Sequence, residues 1–77
     1  MNATLIGKII WYHRRIAGLS RIQLAELAGI GKTSVFDIEK GKETIQLNTL
    51  FSIMRVLNIS IELQSPLMFA FYENENS

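Results

Sequence analysis

The sequence holds 77 residues, which is enough for one small domain and too few for two. With 48% hydrophobic and 19% charged residues, the chain is too apolar to be intrinsically disordered, and its lack of cysteine excludes disulfide bonds and thiolate metal sites. The net charge of +1 hides an asymmetry: residues 1–42 carry seven lysines and arginines against three acidic residues, whereas residues 43–77 carry one against four. A basic first half favours a polyanionic partner.

The first two predicted elements are helices. Thr4 is a suitable N-cap for a first helix that runs to about Ala17. Apolar residues recur at close to helical intervals and predict one apolar face on this helix. They are Leu5, Ile6, Ile9, Ile10 and Ile16. Ser20 caps a second helix, Arg21–Ala28, and Gly29 ends it with a backbone suited to the left-handed conformation. The inner face of this helix is predicted to consist of Leu24, Leu27 and Ala28.

Two further helices are predicted, each again with one apolar face. A third begins at residues 31–33 and runs to Lys40, with its buried side formed by Val35 and Ile38. A fourth begins at Asn48 or Thr49 and ends before Asn58, which tolerates the left-handed conformation. The apolar residues of the fourth helix are Leu50, Phe51, Ile53, Met54 and Leu57.

The periodicity then changes from helical to alternating. Apolar and polar residues alternate over residues 59–64, which predicts a half-buried strand. It is the only strand predicted, so its backbone groups lack a partner unless the same strand of a second copy pairs with it. The pattern therefore predicts a homodimer in which the dimerisation residues are Ile59, Ile61 and Leu63.

A short tail follows the predicted strand. Pro66 interrupts the chain, residues 67–72 are apolar, and residues 73–77 are polar and expected to fray. Two hypotheses remain open for residues 67–72. They either dock into a groove on a partner protein, or they pack on the dimer core or form another strand.

Residues 19–42 have the mechanical features of a helix-turn-helix. The small Ala25 allows the third helix to cross the second closely, and the polar face of the third helix then projects outward, where it can enter a major groove. The segment resembles the lambda-repressor/Cro-type helix-turn-helix family, also called XRE. The positions that match the family pattern are Leu19, Ser20, Leu24, Ala25, Ala28, Gly29, Ile30, Val35, Ile38, Glu39 and Gly41.

The resemblance implies a mainly α, lambda-repressor-like DNA-binding domain of four to five helices, with one C-terminal β-strand that pairs across a homodimer. Residues 1–64 would form this domain with its dimerisation strand, and residues 65–77 the tail. Two residues depart from the family pattern. Arg21 replaces the usual glutamine, and Gly31 replaces a frequent serine, so that the third helix lacks a side-chain cap and depends on Thr33 or on DNA contact.

The strand after the fourth helix also resembles that of HipB-type antitoxins, whose protomers pair their strands across the dimer. This implies a sequence-specific repressor that is the antitoxin of a HipA-like kinase toxin and regulates its own operon. Its partners would be double-stranded operator DNA, a second copy and that kinase. The alternatives are a stand-alone repressor of phage or chromosomal type, or a protein-interaction module without operator binding.

By analogy with the family, the third helix would read bases. Lys32 would donate to guanine O6 and N7, Thr33 would contact a base or a thymine methyl, and Asp37 would accept from cytosine N4, exclude wrong bases or pair with Lys40. Phe36 would pack on thymine methyls or sugars, or fold back onto the loop before the fourth helix. The full set of predicted DNA-binding residues is Ser20, Arg21, Gln23, Gly31, Lys32, Thr33, Ser34, Phe36, Asp37, Lys40 and Lys42.

Phosphates would be held around the ends of these two helices. Ser20, Arg21 and Gln23 lie at the start of the second helix, whose amides favour anions. Lys40 and Lys42 flank the end of the third helix. Arg14 and Arg15 would either reach phosphates as well or form a solvated helix face, and Glu39 is expected to make a structural bond within the motif.

No pattern suggests an enzyme. The sequence shows no Ser/His/Asp arrangement, phosphate-binding glycine loop or carboxylate pair, so no catalytic residue, cofactor or metal is expected. His13 is expected to be a surface or intrahelical residue, and Trp11 and Tyr12 to lie at the core edge or an interface.

The expected location is the cytoplasm, without a membrane span. No signal-peptide pattern is visible, and the uncharged stretch over residues 59–72 is interrupted by Glu62 and Pro66 and is too short to cross a bilayer.

Overall fold

A computed structural model describes residues 1–75, which form five helices. They are α1 (Ala3–Ile16), α2 (Arg21–Ala28), α3 (Lys32–Glu39), α4 (Leu47–Val56) and α5 (Met68–Glu75). The predicted mainly α architecture is therefore confirmed. Helix α3 packs against α1 and α2, and α4 covers both α2 and α3. The buried core comprises Ile10, Leu24, Ala25, Val35, Ile38, Ile53 and Met54.

Asn2, and not Thr4, caps the start of α1. The Asn2 side-chain oxygen accepts a hydrogen bond from the amide of Leu5 at 2.8 Å, so Thr4 lies inside the first turn. Thr4 packs on Gly41, where an added Cβ would come within 3.1 Å of the threonine hydroxyl oxygen. Both Asn2 and Thr4 have a capping oxygen, and asparagine is the stronger N-cap residue of the two.

The first four helices end with one shared hydrogen-bond pattern. In each, a residue two or three positions past the helix donates its amide to the carbonyl five residues earlier, at 2.9–3.1 Å. The residue just before that donor adopts a positive φ, and the four such residues are Gly18, Gly29, Gly41 and Asn58. The left-handed conformations predicted for Gly29 (φ 71°) and Asn58 (φ 58°) are confirmed. These motifs satisfy the last carbonyls, so the helices stop sharply and short loops follow.

Helix α1 approaches α3 at Gly7. An added Cβ there would lie 2.9 Å from the carbonyl oxygen of Glu39, so the two backbones meet with no room for a side chain. The buried residues of α1 are Gly7, Ile10 and Arg14, which recur at helical steps of three and four. The predicted apolar face was wrong at both ends, because Leu5 and Ile16 are exposed.

The predicted inner face of α2 was wrong at Leu27, which is exposed. Leu24 and Ala25 are buried and Ala28 is half-buried, so the inward arc is centred on Ala28. Each residue turns a helix by about 100°, and Leu27 therefore lies to one side of that arc.

Residues 59–65 form neither a helix nor a paired strand, and residues 1–75 of the single chain contain no strand. Because the predicted strand needs a second copy to pair with, it stays a prediction. Ile59 packs against the core, whereas Ile61 is 48% exposed and Leu63 is 74% exposed. Within residues 1–75, Ile61 is therefore about half open to solvent and Leu63 largely so.

The tail forms helix α5, so the hypothesis of another strand there is wrong. Residues 73–75, expected to fray, are helical, and residues 76–77 lie outside the described part of the chain. The Ser65 hydroxyl accepts from the amide of Leu67 at 3.3 Å, and Pro66 stands between them. This bond spans two residues and closes a serine turn just ahead of the helix, which begins at Met68. Helix α5 buries none of its residues.

Candidate nucleic-acid interface

Helix α2 begins with a reciprocal cap. The Ser20 hydroxyl oxygen accepts from the amide of Gln23 at 3.0 Å, and the Gln23 side-chain carbonyl accepts from the amide of Ser20 at 2.8 Å. The predicted cap at Ser20 is confirmed. These bonds use one acceptor on each side chain, so the Ser20 hydroxyl proton and the Gln23 amide protons remain available as donors.

Helix α3 begins without a side-chain cap. Gly31 is the N-cap residue and makes no side-chain bond, as expected, while its carbonyl accepts from the amide of Ser34 at 3.1 Å. The expectation that Thr33 would cap the helix is wrong, since its hydroxyl forms no hydrogen bond within residues 1–75. Thr33 is exposed and its hydroxyl is free to meet a ligand.

The outer face of α3 carries side chains with no part in the core. Lys32, Thr33, Phe36 and Lys40 are exposed, and Ser34 and Asp37 are half-buried. On the opposite side Val35 and Ile38 are buried, as predicted. The pairing of Asp37 with Lys40 was wrong. The Asp37 carboxylate oxygen Oδ2 instead lies 3.4 Å from Nζ of Lys42, a residue beyond the end of the helix.

A buried ion pair joins α1 to α3. Arg14 is only 5% exposed, and its Nε donates to Oε2 of Glu39 at 2.6 Å while Nη2 donates to Oε1 at 3.1 Å. Its Nη1 donates to the carbonyl of Leu19 at 2.9 Å. Both readings of Arg14, as a phosphate ligand or as a solvated residue, were wrong. The structural bond expected of Glu39 is confirmed, and Arg14 is its partner.

The sequence carries a signal for the burial of Arg14, although not for the identity of its partner. Arg14 stands four residues after Ile10 and seven after Gly7, so it lies on the buried stripe of α1. An arginine on a buried stripe requires a carboxylate partner, because a lone buried charge is strongly unfavourable. Glu39 is the acidic residue that meets it.

Arg21 shares the same carboxylate. Its Nε donates to Oε1 of Glu39 at 2.9 Å, and its guanidinium carbon lies 4.8 Å from the centre of the Phe36 ring. Phe36 is 40% exposed, and its ring contacts Arg21 of α2. Two arginines thus share one glutamate, which leaves one surplus positive charge beside Phe36.

The remaining basic and aromatic residues of α1 lie outside the helix-turn-helix. The guanidinium carbon of Arg15 is 5.3 Å from the centre of the Trp11 ring, and both Trp11 and Tyr12 are exposed. His13 is exposed and its Nδ1 lies 2.7 Å from the carbonyl oxygen of Ile9, as expected of an intrahelical residue.

The structure brings the predicted DNA-binding residues onto two neighbouring helices and the ends that flank them. No helix within residues 1–75 is long and apolar enough to cross a membrane. The arrangement of two short helices, a tight turn and an outward polar face defines a helix-turn-helix protein.

Comparisons with known proteins support the same class. A family model described as helix-turn-helix matches residues 13–64. The uncharacterized HTH-type transcriptional regulator y4mF of Sinorhizobium fredii is 31% identical over 61 residues, which cover 79% of this chain and 80% of the relative. Control protein C.SmaI of Serratia marcescens is 35% identical over 57 residues, covering 74% of this chain and 68% of the relative.

Solved structures show the same fold. A HipB-O4 20mer complex has a TM-score of 0.76 and a HipA-HipB-O2-O3 complex one of 0.77. Each is 23% identical, and each match covers 86% of this chain and 93% of that chain. The chain therefore belongs to the XRE-type helix-turn-helix family. It is a DNA-binding transcriptional regulator and not an enzyme.

Proposed function

We propose that the chain is a dimeric repressor that binds a specific operator with α3 in the major groove. The observation that carries the proposal is the division of α3 into two edges. Val35, Ile38 and Glu39 bind the helix to the rest of the domain, while Lys32 and Thr33 have no role in packing. A helix fixed along one edge and polar along the other suits direct readout of bases.

The proposed contacts divide into base readout and phosphate binding. Lys32 donates to guanine O6 and N7, and Thr33 bonds a base edge, with Gly31 giving the backbone close access beside them. Ser34 and Asp37 limit which bases fit. Phosphates are bound by the free donors of Ser20 and Gln23 and by the ammonium groups of Lys40 and Lys42.

Dimerisation is proposed to run through residues 59–64. In a strand, alternate side chains share one face, so Ile61 and Leu63 continue the side on which Ile59 meets the core. Pairing the same strand of two copies would satisfy the free backbone groups and cover these two exposed side chains. A two-fold dimer then presents two copies of α3 to two half-sites one helical turn apart, or multiples of it.

The double substitution Lys32→Ala with Thr33→Ala tests base readout. We expect affinity for a duplex that the wild-type chain selects from a random library to fall by about 10- to 100-fold, because one or two base contacts are lost. Affinity for an unrelated duplex should fall far less, since only one charge per protomer is removed. Fluorescence anisotropy titrations at fixed salt measure both.

Lys8→Ala is the matched control, since Lys8 is an exposed lysine of α1 outside the helix-turn-helix. It should leave affinity for the selected duplex within about twofold of wild type. If the double variant binds the selected duplex as tightly as the control does, readout by α3 is wrong and the protein-interaction module becomes the better reading.

We further propose that the regulator is the antitoxin of a HipA-like kinase. The support is the shared fold with HipB in the HipA-HipB-O2-O3 complex, over 86% of this chain, together with the alternating segment after α4. A stand-alone regulator is the second candidate, favoured by y4mF and C.SmaI, whose names mention a regulator and a control protein but no toxin.

Co-expression with any HipA-like kinase encoded beside this chain's gene separates these two functions. An antitoxin should co-purify with the kinase in a defined ratio and restore growth that the kinase arrests. Adjacent genes that encode no such kinase, or a kinase whose growth arrest this chain leaves unchanged, would favour the stand-alone regulator. Operator binding is expected in both cases.

A further inference from the structure

The contact between Arg21 and Phe36 joins the two helices of the helix-turn-helix on the outer side. Arg21 is the first residue of α2, Phe36 lies in the middle of α3, and the guanidinium carbon is 4.8 Å from the ring centre. This distance is within the range of a cation–π contact. The ring remains 40% exposed, so one part faces Arg21 and another faces solvent.

Arg21 is itself held in place by a chain of bonds that begins in the core. Its Nε donates to Glu39 at 2.9 Å, and Glu39 is fixed in turn by two bonds from the buried Arg14. A guanidinium is planar, so fixing its Nε and stacking its face leaves little freedom of rotation. Phe36 therefore lies against a rigid cation and not against a mobile surface side chain.

We propose that Arg21 is a positioning residue that holds the Phe36 ring toward the DNA, and that the ring recognises the C5 methyl group of a thymine. This inference rests on the proposed DNA-binding function. The thymine methyl is the one apolar group among the base edges of the major groove, and a half-exposed phenyl ring is the apolar surface of α3 available to meet it. A ring already held in its binding position loses less conformational entropy when it docks.

The proposed role differs from the phosphate contact expected of this position. Glutamine, the usual family residue here, has no charge to stack on an aromatic ring and no planar fork of donors. Arg21, which stands where the family pattern has glutamine, thus lies against the exposed ring of Phe36.

The test uses the duplex that the wild-type chain selects from a random library, with each thymine replaced singly by deoxyuridine. This change removes one methyl group and nothing else. For wild type, we expect one thymine in each half-site at which the replacement weakens binding about fourfold, the effect of burying one methyl group. Phe36→Ala should bind the thymine and deoxyuridine duplexes equally.

Arg21→Gln and Arg21→Lys then separate positioning from charge. Both should reduce the thymine-to-deoxyuridine affinity ratio toward one, because lysine keeps the charge but loses the planar stack and the Nε bond. The slope of log affinity against log salt should change by well under one unit for Arg21→Lys. Arg15→Gln, which alters the arginine stacked on Trp11 in α1, is the matched control and should leave the ratio at its wild-type value.

The possible results are distinct. If both Arg21 variants keep the wild-type affinity ratio, or if Phe36→Ala keeps it, the proposal that Arg21 positions Phe36 to recognise a thymine methyl group is wrong. If Arg21→Gln keeps the ratio but lowers the salt slope by about two units, one per protomer, Arg21 is a phosphate ligand and the inference is also wrong. If the wild-type chain enriches no duplex at all, the proposed function itself fails, and this inference fails with it.

Discussion

Replacing Glu39 with glutamine is expected to lower the free energy of unfolding by about 3–5 kcal/mol, the usual effect of breaking a buried ion pair. The side chains of Arg14 and Glu39 are 6% and 4% exposed, so neither water nor salt screens the charge that remains. Glutamine keeps the shape of the side chain but leaves the Arg14 guanidinium buried without a counter-charge. Urea unfolding at neutral pH and one fixed protomer concentration measures the change.

Asp37→Asn provides the control on the same helix. The carboxylate of Asp37 lies 3.4 Å from the ammonium of Lys42, and both groups are partly exposed. Removing this pair should change the unfolding free energy by less than about 1 kcal/mol. A Glu39→Gln variant no less stable than Asp37→Asn would show that the buried pair does not hold α1 to α3. The double variant Arg14→Met with Glu39→Leu should regain most of the lost stability, since no buried charge is left.

The double substitution Ile61→Asp with Leu63→Asp is expected to dissociate the proposed dimer and to weaken binding to a two-site operator by about 100- to 10,000-fold. Charge on both exposed positions disfavours the apolar, strand-paired interface, and the gain from binding two half-sites with one linked molecule is then lost. Binding to a duplex with a single half-site should stay near the wild-type value. Sedimentation equilibrium and titrations against both duplexes measure these effects.

Ile16→Asp is the control for that experiment, because Ile16 is a 72% exposed isoleucine at the end of α1. It should leave both the mass and the two-site affinity unchanged. A double variant that remains dimeric would place the interface elsewhere, with the exposed apolar residues of α5 as the next surface to alter. A monomeric wild-type chain that still binds the two-site operator cooperatively would contradict the proposal directly.

The helix-turn-helix could be predicted closely because its boundaries are set by local chemistry. Ser20 offers a side-chain acceptor at the start of α2, and Gly29 adopts the left-handed conformation that ends it. Both signals act within a few residues, so no knowledge of the rest of the fold is needed. The exposed positions of α3 followed from the buried spacing of Val35 and Ile38.

The features that were missed depend on contacts between distant segments. Arg14 and Glu39 are 25 residues apart, and their pairing is visible only once α1 crosses α3 at Gly7. Helix α5 is different, because a short apolar run such as residues 67–72 fits a helix as well as a strand, and residues 65–67 form only a turn ahead of it.

Helix α3 is tied to the domain by Val35, Ile38 and Glu39 and by the contact of Phe36 with Arg21, whereas Lys32 and Thr33 are exposed. Residues 32 and 33 therefore contribute almost nothing to folding. Under the proposed readout by α3, substitutions there would alter the preferred DNA sequence while the stability of the domain stays nearly constant. Duplicated copies of this gene would then acquire separate target sites in single steps, without passing through an unfolded variant.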